Sequence, residues 1–426
     1  MTDDARDYSL VVFGATGFTG QYVAEEVARI ADEENITWAI AGRNSEKLNA
    51  IIENVGKVTG KSLKNVGIIQ ADISDPNSLS EMAKKGKIVL NCVGPYRFFG
   101  EAVVKACVEN ATSHIDISGE PQFLERMQLD YNVAAHDKKC YVVGACGFDS
   151  IPADMGTVFL EEKLGGQVNS VETYLNIKSK KGARGHFATW QSAIYGFAHA
   201  NELKPLRKKL YPERLPVLKP ALQYRGILHN NPIVKSWCLP FPGSDRSVVM
   251  RSQRYFFEKE NKRPVQMKAY VQCSSLIAAI AMALSAVLFG LLASFKFGRS
   301  LLEKYPQFFS FGVFAHDGPT KEEMDSTSFV LTLVGKGWSE KLTEPMDAHT
   351  NHPEKELVVR VSGPEAGYIA TPICMVQAAL VLLRDTDKLP ANGGVFPPGA
   401  AFAKTSLIER LIKRGINFQT GVKSSL

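Results

Sequence analysis

Several residue patterns are missing from this chain of 426 residues, and each absence removes a class of protein. Its seven cysteines, at 92, 107, 140, 146, 238, 273 and 374, are odd in number and form no Cys-x-x-Cys pair. That spacing argues against a disulfide framework and a tetrahedral zinc site, and it points to a reducing compartment. The eight histidines contain no His-Glu-x-x-His, and His349 and His352 lie in a polar stretch, EPMDAHTNHPE, without cysteine or paired carboxylates at ligand spacing. No metal is expected. Neither sign of charge dominates: 50 Lys and Arg against 44 Asp and Glu leave +6. With no zinc-finger, RRM or KH pattern, nucleic acid is not an expected partner. The N-terminus, MTDDARDYSLVVFGATG, is acidic and enters a strand by about Ser9, leaving no room for a secretory apolar region. The expected location of the functional face is the cytosol.

What is present is a folded globular composition, 45% apolar and 22% charged, in a chain too long for one ordinary core. Leu10 to Phe13 is an apolar run ending at Gly14; Gly17 and Gly20 follow, then Val23, Val27 and Ile30 at helical spacing. Strands then recur near 38–41, 66–70, 88–93, 114–117 and 141–143, separated by helices near 45–55, 77–85, 101–110 and 122–135. Such alternation implies a doubly wound parallel sheet, whose ligands sit at the carboxyl ends of its strands. In GATGFTG, Gly14 permits the tight turn, Gly17 lets a pyrophosphate approach the backbone, and Gly20 lets the helix pack close to the sheet. Ala15, Thr16, Phe18 and Thr19 complete a loop whose amides face the phosphates. The spacing is G-x-x-G-x-x-G, so its place directly after a strand and before an amphipathic helix separates a cofactor turn from three packing glycines.

Cofactor choice is read at Arg43, the end of the second strand, where an NAD site usually carries Asp or Glu. A guanidinium suits the 2′-phosphate, so NADP(H) is expected over NAD(H); the competing reading is a surface arginine at a helix start. Topology puts Asp72, after strand three, near the adenine edge, and Val93, Gly94, Pro95 and Tyr96, after strand four, toward the nicotinamide.

GATGFTG, AGR at 41–43, NCVGPYRFFGEAVVKACVENATSHIDISGEPQFLE at 91–125 and GFDSIPADMG at 147–156 resemble the saccharopine dehydrogenase-like oxidoreductase family. The resemblance continues through PVQMKAYV at 264–271, HDGPT at 316–320, GPEAGYIATP at 363–372 and GGVFPPGAAF at 393–402, and so spans essentially the whole chain. It implies a Rossmann domain followed by an α+β domain, an oxidoreductase activity, and association with membranes and lipid droplets. It also implies kinship with trans-acting enoyl reductases of lipid intermediates and with true saccharopine dehydrogenases. The word saccharopine in the family's name does not itself designate a substrate.

From about residue 151 the pattern changes to runs with one wet face, at 170–177, 265–271, 326–334 and 356–361, as in a mostly antiparallel sheet. The expected organisation is therefore a dinucleotide-binding domain over 1–150, an α+β domain for substrate binding and homodimerisation over 151–365, and C-terminal helices over 366–426 packing back on the core. A helix is expected over 186–202 and a solvated basic loop over 204–225. One long uncharged run stands out, Val271 to Phe295, which as a helix would measure ~37 Å. If the strands on either side share a sheet, both its ends lie on one side of a membrane. A monotopic insertion is therefore expected, either a shallow hairpin broken near Ser285 or Gly290 or an amphipathic bundle pressed onto lipid; the competing reading is a buried helix.

The proton-transfer partner of a hydride is not evident. Tyr174/Lys178 and Tyr255/Lys259 have short-chain-dehydrogenase spacing in the wrong context, which leaves Tyr96, Asp116, Glu120 and Asp149, with Tyr96 the preferred donor. The carboxylates have competing structural uses as caps and turn ties. The expected function is an NADPH-preferring reductase of a lipid-like substrate at a membrane or droplet surface. Its rivals are a catalytically silent dinucleotide-binding scaffold or redox sensor, and a saccharopine-type amino-acid dehydrogenase.

Overall fold

The computed structural model describes residues 6–421; the acidic start of the chain, 1–5, lies outside the described residues. The chain divides into two compact units, one running through Phe148 and including Gly367–Phe396 and Lys404–Leu407, the other comprising Asp149–Ala366, Pro397–Ala403 and the chain from Ile408.

The first unit opens with β1 (Tyr8–Phe13), α1 (Phe18–Ile30), β2 (Trp38–Gly42), α2 (Ser45–Thr59), β3 (Gly67–Gln70) and α3 (Pro76–Lys85). It continues with β4 (Gly86–Asn91), α4 (Tyr96–Glu109), β5 (Ser113–Asp116), α5 (Pro121–Asp137) and β6 (Tyr141–Val143). The second unit follows with α6 (Ile151–Leu164), β7 (Gln167–Ser179), β8 (Gly185–His186), α7 (Phe187–Ala198), α8 (Leu203–Leu210), β9 (His229–Asn231) and β10 (Ser236–Pro240). Next come α9 (Asp245–Glu260), β11 (Gln266–Cys273), α10 (Leu276–Ser294), α11 (Lys296–Lys304), α12 (Pro306–Phe309) and β12 (Phe314–Ala315). After α13 (Lys321–Asp325), β13 (Thr327–Trp338) and β14 (Lys355–Pro364), a π-helical turn (Ala366–Ala370) leads to α14 (Thr371–Arg384) and β15 (Gly394–Phe396). The chain ends in α15 (Pro398–Phe402), α16 (Leu407–Lys413) and β16 (Asn417–Thr420).

In the first unit seven parallel strands take the order β15-β6-β5-β4-β1-β2-β3. The order reverses at β1, the topological switch point at which such sheets bind ligands. Leu10 to Phe13 of β1 are all buried because helices cover both faces, which is why this strand reads as an unbroken apolar run. Sequence-local signals set the helices: Asn44 caps α2 by accepting from the Lys47 amide at 2.9 Å, Gly60 ends it at φ +68°, and Asp75 with Pro76 starts α3.

The tail does not form the single segment expected for 366–426. α14, buried along nearly its whole length, packs against α1, and β15 pairs in parallel with β6 as a seventh strand, so 367–396 belong to the first unit. A helix apolar on every side, as TPICMVQAALVLL is, needs a core around it.

The second unit's main sheet has the order β16-β14-β13-β7-β11-β10-β9. It is mixed: β7 and β11 run parallel, whereas the other pairs are antiparallel. α6 lies against one face of the sheet at close range, because a Cβ on Gly156 would meet Leu333 and Val361 at 3.1 Å. The basic stretch expected as a loop contains α8. α10 runs without interruption, which corrects the expected break: Ser285 Oγ donates back to the Ala281 carbonyl at 2.8 Å and Gly290 stays helical. α10 is also not a buried helix, since only Ala279 and Ala293 are buried along it.

Candidate cofactor site

The site is assembled at the carboxyl ends of β1, β2, β3 and β4. Gly14 leaves β1 at φ +82°, donates to the Ala41 carbonyl at 2.9 Å and accepts from the Gly17 amide at 2.9 Å, which closes the turn. Ala15 is buried beneath it while Thr16 and Gly17 face solvent, and Phe18 and Thr19 are half-buried. A Cβ on Gly20 would lie 2.2 Å from the Gly14 carbonyl oxygen, so only glycine lets α1 start this close to the turn. No side chain caps α1. Its first-turn amides have no intrahelical acceptor by geometry and lie at the positive end of the helix dipole, an arrangement that favours anions.

Arg43, just past β2, is exposed and makes no ion pair among the described residues; its carbonyl accepts from Gln70 Nε2 at 3.3 Å. Asp72 accepts from the Ser74 amide at 2.8 Å and the Ser74 hydroxyl at 2.7 Å. Those two bonds, with the positive charge of Arg43 nearby, hold its carboxyl below the ordinary carboxylate range. Asp72 therefore ties its own turn, and the Arg43 guanidinium carries no bond of its own among the described residues.

The segment after β4 is held from several sides. Asn91 Oδ1 accepts from the Val93 amide at 3.0 Å, and Cys92 donates to the Phe13 carbonyl at 2.9 Å. Val93 is half-buried, Gly94 is exposed and joined to buried Pro95 by a cis peptide. Val93 also flanks the glycine turn, since a Cβ on Gly14 would lie 2.7 Å from its Cγ2. The structure thus brings Val93 to Gly14, and Arg43 to Asp72.

The expected proton donor is tied into this arrangement by its own hydrogen bonds. Tyr96 is buried; its phenol donates to the Asn91 carbonyl at 2.8 Å and accepts from the Ile117 amide at 3.4 Å. Burial, reinforced by the charge of Asp116, drives its pKa far above the ordinary tyrosine value. Tyr96 thus forms a strut between the loops after β4 and β5. Glu120 caps α4 across space, accepting from the Tyr96 and Arg97 amides at 2.9 and 3.0 Å. Asp116 accepts from the Ser118 and Ala145 amides at 2.9 and 3.0 Å and so joins the loops after β5 and β6. In the second unit Asp149 accepts from the Ser244 amide at 3.2 Å, and burial raises its pKa to about 6.

Three further residues lie beside these elements, of which Thr371 and Tyr368 were not expected from the sequence. His114 is fully buried, 3.3 Å from the Asn91 amide nitrogen, and burial lowers its pKa to about 3, so it stays neutral. Thr371 Oγ1 accepts from the Phe148 amide at 2.9 Å. Tyr368, on the π-helical turn, meets Phe18 edge-on with ring centroids 4.7 Å apart. The signal was present in GYIATP, a Thr-Pro helix start behind an aromatic, but nothing local says which sheet it joins.

Known proteins match both the turn and the whole architecture. Residues 10–143 match the saccharopine dehydrogenase NADP binding domain. Over 98% of this chain and 98% of its own length, the human saccharopine dehydrogenase-like oxidoreductase is 48% identical. This chain belongs to the saccharopine dehydrogenase-like oxidoreductase family. A Caenorhabditis elegans member, named lipid droplet localized protein, is 39% identical over 97% of this chain and 98% of its own. The fold of yeast saccharopine dehydrogenase (L-Glu forming) is similar across 97% of this chain and 99% of that one, with a TM-score of 0.52 at 11% identity. The family member described here is an oxidoreductase whose cofactor is NADP(H), in keeping with the unpaired guanidinium of Arg43.

Proposed function

We propose that this oxidoreductase is an NADPH-dependent reductase of an apolar, lipid-like substrate, working on the cytosolic face of a membrane or lipid droplet. The observation that carries the lipid half is α10, an uncharged helix of 19 residues that stays largely exposed. The name of the C. elegans relative supports the same location. In the cofactor half, the turn of Gly14, Ala15, Thr16, Gly17, Phe18, Thr19 and Gly20 holds the pyrophosphate on backbone amides. Arg43 takes the 2′-phosphate, Asp72 shapes the adenine edge, and Val93, Gly94 and Pro95 flank the nicotinamide. When bound, the cofactor supplies a hydride to an electrophilic carbon. The chain's own contribution is positional: Glu120, Tyr96 and Asp116 fix the loops that would line the ring.

Energy transfer from tryptophan to NADPH and NADH, followed by NADPH oxidation over a panel of apolar enones, ketones and imines, tests the proposal. NADPH binding with turnover of a long-chain member is expected; binding of neither cofactor rejects it. One observation favours a second reading, a dinucleotide-binding scaffold or redox sensor. Tyr96, Asp116 and Glu120 are all engaged in structural hydrogen bonds, which supports a reading without proton transfer by these three. Tight NADPH binding without oxidation across the panel would support it.

A further inference from the structure

The surroundings of α10 carry an inference that rests on the lipid half of this proposal and specifies how the lipid is met. No charged residue occurs from 269 to 295. At ~1.5 Å per residue the 19 residues of α10 span ~28 Å, close to a ~30 Å hydrocarbon core, so length alone permits a crossing. The packing does not. Near its start, Ala279 is buried with Leu239 and Cys273 of the sheet; near its end, Ala293 is buried with Trp190 and Ile194 of α7 and Leu302 of α11. Trp190 Nε1 donates to the Leu302 carbonyl at 2.9 Å and fastens that end. The chain also enters from β11 and returns to β13, two strands of one sheet that both pair with β7. A helix gripped at both ends by one folded body cannot place one end beyond a bilayer.

The outward arc is apolar throughout. Ile277, Leu284, Val287 and Leu291 recur at helical spacing and are exposed, Val287 by 71%. The two hydroxyls within α10, Ser285 and Ser294, donate to carbonyls of their own helix, at 2.8 and 2.7 Å, as side chains in hydrocarbon must. Beyond the helix the surface continues through Phe297 and Phe308, exposed by 70% and 76%. Lys296 and Lys304 are exposed beside them, and the one acid between 269 and 316, Glu303, is engaged by Gln191 at 3.0 Å. A protein partner would need a rim of mixed polar groups to set register, whereas Lys296 and Lys304 beside this arc carry a single sign. Hydrocarbon needs none, and aromatics with lysines at its edge match an anionic headgroup layer.

We propose that α10 lies in the plane of a single anionic phospholipid leaflet. Its outward arc enters the acyl region, both its ends stay on the same aqueous side, and Phe297 and Phe308 sit at headgroup depth beside Lys296 and Lys304. The full-length protein tests this on sealed vesicles of phosphatidylcholine with and without phosphatidylserine. Ser274→Cys and Ser300→Cys place thiols at the two exposed ends of the segment; six native cysteines are buried and Cys92 is half-buried, so the parent chain sets the background. An impermeant maleimide added outside should label both ends equally. Flotation should rise several-fold with phosphatidylserine and fall to background in Val287→Asp/Leu291→Asp, whose NADPH binding should persist because both side chains are exposed. Protection of one end, or equal flotation on neutral vesicles, overturns the in-plane anionic docking while leaving the lipid reading intact. Failure to float on any vesicle, with the protein eluting as a stable dimer, makes a second copy the occupant and removes both.

Discussion

Substituting Gly20 by alanine tests whether the glycine turn is a packing constraint, because two effects predict opposite signs. In an open helix interior the change stabilises by roughly 1 kcal/mol through helix propensity. Gly196 in α7 is such a place, since a Cβ there would find nothing within 4 Å. At Gly20 the new Cβ would meet the Gly14 oxygen at 2.2 Å, the Gly14 carbonyl carbon at 2.8 Å and the Ala15 Cα at 3.0 Å. Relief requires α1 to retreat by about 1 Å from a turn that cannot yield, because Gly14 is bonded to both Ala41 and Gly17. Retreat in turn loosens Val23, Ala24 and Val27, all fully buried. Overpacking of this kind costs about 1–3 kcal/mol, which outweighs the propensity gain. Displacing even one charge-assisted amide bond to a phosphate costs about 1.5–3 kcal/mol, or roughly 10- to 100-fold in NADPH affinity. Urea denaturation and NADPH titration of Gly20→Ala beside Gly196→Ala measure both terms. A Gly20→Ala protein that is stabilised like the control and binds NADPH unchanged would refute the reasoning.

Arg43→Ala should weaken NADPH by roughly 10- to 100-fold and leave NADH nearly unaffected, since only the 2′-phosphate is lost; equal losses for both would remove Arg43 from the site. Tyr96→Phe should cost about 1 kcal/mol of stability for the lost strut while NADPH binding and any turnover persist, and a folded but inactive variant would restore Tyr96 as donor. In the second unit burial raises Asp149 to about 6 and Asp154 to about 7, against an ordinary 3.8, and also pushes Asp245 well above its ordinary value. The native state keeps protons that the unfolded chain has released, so this stabilisation is full below about pH 4 and is lost as pH rises through 6 and 7. At about 1.4 kcal/mol per unit per group, the loss from pH 5 to 8 is on the order of a few kcal/mol. Asp154→Asn should flatten that slope in urea melts, and stability that climbs with pH over this range would contradict it.

The sequence by itself determined what depends on neighbours in the chain. The strand–turn–helix at Gly14 to Gly20, the caps at Asn44 and Asp75 and the alternation of β1 through β6 are local effects of backbone freedom, capping and periodicity, so they were legible. The uncharged run at 271–295 was legible as well, but not its form: whether it bends or stays straight depends on Trp190, Leu239 and Leu302, remote residues that grip it. Tertiary structure alone decided that β15 completes the first sheet and that α14 packs against it, since parallel pairing across some 250 residues leaves no local trace. It also decided the fate of the acids. A carboxylate or phenol at a strand end reads the same whether it meets substrate or a backbone amide, and only the fold turned Glu120 onto the start of α4 and the Tyr96 phenol onto Asn91.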